Sequence, residues 1–388
     1  MRTRCSRNKD TYLQARLIAE LDESALVENY HAIRKIARAQ RILPMIKANA
    51  YGHDSEWAGR VLVRLPALYG FGVASIEEGA RLREGLGWKH AGTRIVVFSG
   101  GAPWTDEKGG LCERHGLVPV IATYPDWKNF ISGKWAKKLR YELKFNTGMN
   151  RLGIGIENLS CIRNAIKAMR PTQRPGGILS HLAVAEKPDF PLSIMQREKF
   201  GLIRRELEAV CPDAVFHLAN SAAIWHRKRW LLDDLTDVVR PGLSLYGITP
   251  WHGADPRGIR PVMTVKAHVA AVHRLLPGES VGYGATFTVP ANARRRVSVA
   301  ILSAGYADGI HRILSNAGIA RIAGKKVRFL GRVAMDMLAV ECPPGTKEGD
   351  WAELMGPGLD IWQQADAAKT LPYELLTSVS GRVQRVYV

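Results

Sequence analysis

The sequence predicts an α/β unit followed by an all-β one: a closed (β/α)₈ barrel, then a mainly β C-terminal domain. Three observations carry this expectation. From residue 41 to about 250, short apolar, β-favouring runs alternate with longer segments whose apolar residues recur every three or four positions. Eight such runs occur, the number that closes a barrel. After about residue 255 helical spacing largely stops, and β runs follow one another across turns.

The eight runs are RILPMIK (41–47), LYGFGVAS (68–75), RIVVFSG (94–100), LVPVIAT (117–123), RYELKFN (140–146), GGILSHLA (176–183), VFHLANS (215–221) and DVVRPG (237–242). Segments such as SIEEGARLREGL and MQREKFGLIRRELEAV lie between them with helical spacing. Strand alternating with helix means a parallel sheet with helical crossovers. Counted from the helix that starts at Glu23, the barrel takes residues 23–254, a TIM-type length. Periodicity alone leaves an open, doubly wound sheet as the competitor. Residues 255–388 form the β domain, with VKAHVAAVHRL, RRVSVAILSA, KKVRFLGRVAM, MLAVECP and RVQRVYV as its runs and one short helix at 362–369. QARLIAEL, within a strand segment at 13–22, is expected to join that domain, and 1–12 reads as a basic flexible arm.

Of 388 residues, 46% are hydrophobic and 23% charged, as in an ordinary soluble protein. No apolar stretch is long enough to span a bilayer, and no apolar segment follows the basic start, so no membrane and no secretory signal are expected. Cys5, Cys112, Cys161, Cys211 and Cys342 are odd in number and form no C-x-x-C pair. This argues against a disulfide framework and a zinc site, and sets a cytoplasmic location as the expectation. The net charge of +19 favours anions. Its densest runs, at Arg227–Arg229 and Arg294–Arg296, are short and lack interleaved aromatics, so a dedicated nucleic-acid partner is not expected.

A barrel keeps its chemistry at the carboxyl ends of its strands. Lys47 ends the first run. Lys144 lies in the fifth, with Arg151 just beyond. His181 is near the end of the sixth, Asn220 and Ser221 end the seventh, and Arg240 and Gly242 end the eighth. Any one of these has a dull reading: a strand-end lysine usually extends to water, a lone histidine is usually structural, and RPG is a common turn. Their convergence on one end is the signal. GFGVASIEEGA (70–80) half-resembles a dinucleotide loop, but its third glycine is missing, so Gly70 and Gly72 read as close-packing residues. A lysine held among apolar neighbours loses its preference for the ammonium form and gains nucleophilicity, enough for a Schiff base with an aldehyde. Small Ala48, Asn49 and Ala50 leave room for a flat ring, with Tyr51 and His53 nearby. Ser221 and the backbone around Gly242 and Leu243 stand where barrels often hold phosphate.

IKANAYGH, LKFNTGMNRLG, SHLA, HLANSAA, RPGLSLYG, VGYGATF, AGYADG, GRVAMDM and LPYE occur in that order. Through them the chain resembles, nearly end to end, the alanine racemases, fold-type III pyridoxal-phosphate enzymes. The resemblance implies pyridoxal 5′-phosphate carried on Lys47 and a head-to-tail homodimer. Lys47 and Tyr283 would be the two opposed bases, with Tyr283, Tyr306 and Met335 coming from the partner chain and Asp336 beside them. Arg240 would face the pyridine nitrogen, and His181 would link Arg240 to Tyr283. Arg151 would contact cofactor and substrate, beside Lys144 as a carbamate. Tyr51, Ser221, Tyr373, Gly242 and Leu243 would hold the phosphate, with Asn220 adjoining. The implied reaction interconverts L- and D-alanine and supplies D-alanine for peptidoglycan.

The chain departs from the family pattern at Asn146, where aspartate is common, at Asp54, where glycine is, at Ala334, where some relatives carry cysteine, and in GATF after Tyr283. A broader amino-acid racemase and a fold-type III decarboxylase are the alternatives. Lys144, Tyr283 and Tyr306 favour the narrower racemase. Cys342, in VECPPG, does not resemble the cysteine segment of the decarboxylases. A non-catalytic pyridoxal-phosphate carrier would have no use for Tyr283 or a β domain of this size.

Overall fold

The computed structural model describes residues 15–38, 40–99, 101–226, 232 and 235–388. The expected arm at 1–12 and the Arg227–Arg229 run lie outside the described residues. Two compact units are present: Ser24–Ile259, and Arg260–Val388 together with the described residues before Ser24. Strand β1 (Leu17–Leu21) and the first residue of helix α1 (Glu23–Ala37) belong to the latter.

The Ser24–Ile259 unit holds β2 (Arg41–Ile42), β3 (Phe71–Val73), β4 (Ile95–Val97), β5 (Val118–Ile121), β6 (Glu142–Asn146), the short β7 (Ile154–Gly155), β8 (Gly177–Leu179), β9 (Val215–His217) and β10 (Val238–Val239). The parallel order is β3-β4-β5-β6-β8-β9, with β7 on β6 and β10 on β2. Backbone bonds complete the ring. Gly72 N–H donates to Pro44 O and Ile46 N–H to Gly72 O, joining the first run to the second. Arg240 N–H donates to Ala219 O, joining the seventh to the eighth. Closure excludes the open doubly wound sheet. Leu43, Val96, Val120, Leu179, Val215 and Val238 fill the interior, and among them sits one hydroxyl, that of Tyr69.

The strand-to-helix joints follow from capping. Ser75, Thr105 and Thr123 accept backbone N–H bonds at the starts of α4 (Ile76–Leu86), α5 (Asp106–His115) and α6 (Tyr124–Ser132). The other helical segments of this unit are α2 (Lys47–Tyr51), α3 (Ser55–Leu62), α7 (Trp135–Lys138), α8 (Leu159–Ala168), α9 (Pro191–Glu208) and α10 (Ser221–Trp225).

The second unit comprises β1 with β11 (Met263–Leu275), β12 (Ser280–Val281), β13 (Phe287–Thr288), β14 (Val297–Leu302), β15 (Ile319–Ile322), β16 (Lys325–Leu330), β17 (Leu338–Glu341), β18 (Trp351–Met355), β19 (Gln384–Tyr387), α11 (Ile361–Ala367) and α12 (Pro372–Thr377). The ring β11-β14-β17-β16-β15-β18 closes back on β11. A register shift between Val269 and Ala271 bends β11 between its partners. β1 lies antiparallel to β11 and parallel to β19. Ala323 and Gly324 both take positive φ, as a two-residue hairpin between β15 and β16 requires.

The glycines of GFGVAS are packing residues. A Cβ on Gly70 would lie 2.4 Å from the Arg94 carbonyl oxygen, and one on Gly72 would lie 2.5 Å from the Met45 sulfur. Gly70→Ala is therefore expected to lower unfolding stability by about 1–3 kcal/mol in urea titrations, the range for overpacking.

Candidate active site

Lys47 opens a turn that runs the wrong way. Ala48, Asn49, Ala50 and Tyr51 have φ of 51°, 54°, 56° and 54°, a left-handed turn built without glycine. Left-handed conformation costs L-residues roughly 1–2 kcal/mol each, so the surroundings must hold it. Glu78, the third residue of α4, accepts from Ala48 N–H at 2.8 Å and from Ala74 N–H at 2.7 Å. Buried His53 places Nδ1 3.0 Å from the carbonyls of Ala50 and Tyr51. Tyr246 stacks on His53 at 4.5 Å and lies tilted against Tyr51 at 5.1 Å, and its hydroxyl donates to Met45 O. Asp54, at φ 69°, stands where a glycine was the family expectation. It accepts from Glu56 N–H and Trp57 N–H, so its carboxylate caps α3 in return for the unfavourable backbone. His53, near Lys47 in sequence, is buried, and its ring holds the turn.

Lys47 itself is half-buried. Burial lowers its pKa below the ordinary lysine value, Arg151 lowers it further, and Glu78 opposes. Lys144, fully within the barrel mouth, is lowered to about 8 by burial, then by Arg240, Arg151 and Lys47. These interactions place four cations around one hollow. Arg151 is exposed at its rim, on a loop that Asn146 builds by accepting from Gly148 N–H and Asn150 N–H.

Arg240 is the deepest of the four and donates to the carbonyls of Ser180, His217 and Leu218. It also approaches His217 Nδ1 at 3.2 Å and His181 Nδ1 at 3.4 Å. A guanidinium can only donate, so both nitrogens accept, and each imidazole carries its proton on Nε2. His217 Nε2 then donates to Glu142 Oε2 at 3.0 Å, and the Tyr69 hydroxyl donates to Glu142 Oε1 at 3.2 Å. Burial pushes the Glu142 carboxyl up, but His217, Arg94 and Tyr69 outweigh it and leave it below the usual range. Burial holds His217 below its ordinary pKa against the pull of Glu142. Burial, then Arg240 and the lysines, keeps His181 neutral too. A Cβ on Gly177, the residue paired with Glu142 across β6 and β8, would lie 2.7 Å from the Glu142 side chain, so glycine there makes room for the carboxylate. Gln196 of α9 donates to His181 O and fixes that strand end.

At the seventh and eighth strand ends, Asn220 caps α10 by accepting from Ala223 N–H. Ser221 Oγ accepts from Gly242 N–H at 2.9 Å. A Cβ on Gly242 would lie 2.4 Å from the Tyr51 hydroxyl oxygen, so this corner stays open only for glycine. Leu243 is buried, and its N–H has no acceptor among the described residues.

The second unit carries the other expected residues. Tyr283 is 73% exposed on the turn between β12 and β13, in a groove it shares with Arg332, Ala334 and Met337. Tyr306 N–H donates to Ala334 O and Ala307 N–H to Met335 O, so Tyr306 and Met335 stand together, both exposed. Gly305 permits this, since a Cβ would lie 2.3 Å from Met335 O. Asp336 pairs with Arg382 at 2.6 Å, and Tyr373 sits part-exposed on α12. Glu78, Glu142, His217, Gln196 and Tyr246 were not singled out from sequence. Glu142 and His217 left a trace, each a polar residue inside an apolar run, in RYELKFN and VFHLANS.

A closed barrel with a perturbed strand-end lysine, followed by a separate β unit, defines the class: a two-unit barrel protein with an amine of lowered pKa at its strand ends. Known proteins make the class particular. Residues 21–250 match the family model described as alanine racemase, N-terminal domain, and 262–387 match the C-terminal domain. The alanine racemase of Marinobacter nauticus is 33% identical, covering 95% of this chain and 98% of the relative. That of Carboxydothermus hydrogenoformans is 34% identical, covering 95% and 99%. The biosynthetic alanine racemase structure from Pseudomonas aeruginosa superposes with a TM-score of 0.83 at 32% identity, over 97% of this chain and 100% of that one. The Bartonella henselae alanine racemase, whose structure has covalently bound pyridoxal phosphate, gives 0.81 at 28% identity over 96% and 100%. The chain belongs to the alanine racemase family, isomerases acting on alanine.

Two outcomes are expected here. Ala48→Gly relieves one left-handed residue and raises stability by about 0.5–1 kcal/mol in thermal melts. Lys144 binds its proton less tightly folded (about 8) than unfolded (10.5). Below pH 8 it therefore opposes folding in full, and between about 8 and 10.5 stability recovers as pH rises. Lys144→Met should exceed the parent by up to about 3 kcal/mol at pH 7 in carbonate-free buffer, with the gap closing towards pH 10.5.

Proposed function

We propose that the chain interconverts L- and D-alanine with pyridoxal 5′-phosphate held at Lys47, using Lys47 and Tyr283 as opposed bases. The observation that carries this reading is the half-buried amine of lowered pKa set in a cationic hollow. The corner at Tyr51, Ser221, Gly242 and Leu243, with its unclaimed buried N–H, fits a phosphate; Asn220 and Tyr373 complete the proposed set. When bound, the cofactor supplies the electron withdrawal that makes an amino acid's α-proton acidic.

The chain's own groups do the rest. Lys47, its pKa lowered by burial and by Arg151, can take or return a proton on one face of the substrate carbon. Arg240 cannot accept a proton and so leaves the ring nitrogen unprotonated. His181, with its Nδ1 occupied by Arg240, keeps a proton on Nε2 for donation to the Tyr283 oxygen, which eases loss of the phenol proton. Arg151, Met335 and Asp336 are assigned to the substrate side, with Tyr306 narrowing the entrance. The exposure of Tyr283, Tyr306 and Met335 on the β unit supports a head-to-tail homodimer in which they face the partner's barrel. Lys144, neutral in part near pH 8 and facing three cations, is suited to take up carbon dioxide as a carbamate with release of a proton, reversing the local charge. The described cysteines are free thiols, two of them buried, which fits a reducing cytoplasm where D-alanine would feed peptidoglycan.

Purified protein is expected to be yellow, and borohydride reduction should fix the label on Lys47. Tyr283→Phe should keep the colour and lose about 10²–10⁴-fold in racemisation, the usual worth of a general base. Normal turnover in that variant contradicts the two-base reading. Chiral analysis after incubation with each common L-amino acid measures substrate breadth, with alanine expected to lead.

A further inference from the structure

The opposite end of the barrel holds a second cationic cavity that the reaction does not use. Segments entering β3, β4, β5 and β6 surround about 680 Å³ at the amino ends of the strands, within the range of small-molecule sites. Arg94 and Arg140 line it, and Tyr69 is part of its wall. Arg94 and Arg41 both stack on the Tyr69 ring, at 4.1 and 4.9 Å. None of these three arginines has a carboxylate within ion-pair distance among the described residues. Among the described residues Arg94 donates to the Tyr69 carbonyl alone, and Arg41 and Arg140 are exposed. The carbonyls of Thr93 and Gly116, two residues of the lining whose oxygens could repel an anion, accept from Arg83.

We propose that this cavity is an oxyanion site for a small phosphorylated metabolite or free phosphate, gripped by Arg94 and Arg140 with Arg41 beside them. Guanidinium groups suit such ligands because their paired N–H groups match two oxygens at once. The site has a physical line to the mouth. Its wall tyrosine donates to Glu142, Glu142 receives His217, and His217 receives Arg240. Arg94 also helps hold the Glu142 carboxylate ionised. An anion that neutralises Arg94 weakens that hold, and His217 feels the change. The N-terminal face of a barrel ordinarily serves stability alone, and unpaired arginines around an open cavity do not serve it.

The test is calorimetry on the purified, cofactor-loaded protein, with pyrophosphate, inorganic phosphate and sodium chloride compared at equal ionic strength. One saturable pyrophosphate site is expected, weakened at least fivefold by Arg140→Ala, an exposed change, and further by Arg94→Ala. Phosphate binding more tightly than pyrophosphate would point to the free ion, and the reverse to a phosphorylated metabolite. The ¹⁵N signals of His217 should move on saturation in the parent and move far less in Arg94→Ala, which removes the charge that Glu142 feels. No saturable heat beyond that of chloride, or equal affinity in the parent and a folded Arg140→Ala, overturns the site. Saturation with unmoved His217 signals overturns its coupling to Arg240.

Discussion

The barrel mouth is organised by the burial of one amine among other positive groups. Lys47, Lys144, Arg151 and Arg240 raise each other's free energy as cations, and desolvation removes the water that would screen them. Two outcomes relieve this: an amine gives up its proton, or an anion arrives. Both suit the proposed reading, in which an amine binds a phosphate-bearing group. The strain of the left-handed turn after Lys47 belongs to the same constraint. Glu78, His53 and Tyr246 hold it from three sides, and the small side chains within it keep the space beside the amine clear.

The buried chain from Arg240 through His217 and Glu142 to Tyr69 is self-consistent in protons. A donor-only group at one end dictates the tautomer of the next, which dictates an ionised carboxylate beyond it. Such a chain fixes Arg240 as a full cation deep in a nonpolar core, although burial brings its pKa down to about 10. Glycine at 177 makes the space for Glu142, so a backbone choice on β8 underwrites the charge state of a residue at the end of β10.

Much of this was legible in the residues. Apolar runs with helical spacers announced the parallel barrel, and the Leu17–Leu21 strand of QARLIAEL, buried at four of its five residues, pairs in the β unit beside β11. Strand-end polar residues announced the mouth. Three things were hidden, for physical reasons. Ala48, Ala50 and Tyr51 carry no local preference for left-handed backbone, and one tolerant asparagine between them does not announce a four-residue turn, so only tertiary contacts reveal it. His53 looked available because sequence proximity to Lys47 cannot say that the ring faces Tyr246. Glu142 and His217 lie 75 residues apart and meet only when the barrel closes.

Direct titration of the Lys47 amine tests the central claim most closely. With ¹⁵N-labelled lysine in cofactor-free protein, and Lys47→Arg to assign the signal, its midpoint should fall clearly below 10.5, the ordinary value. It should fall further in Glu78→Gln, where the one opposing charge is gone. A midpoint at or above 10.5 would mean that the amine is hydrated and ordinary, and that the mouth is not organised around it.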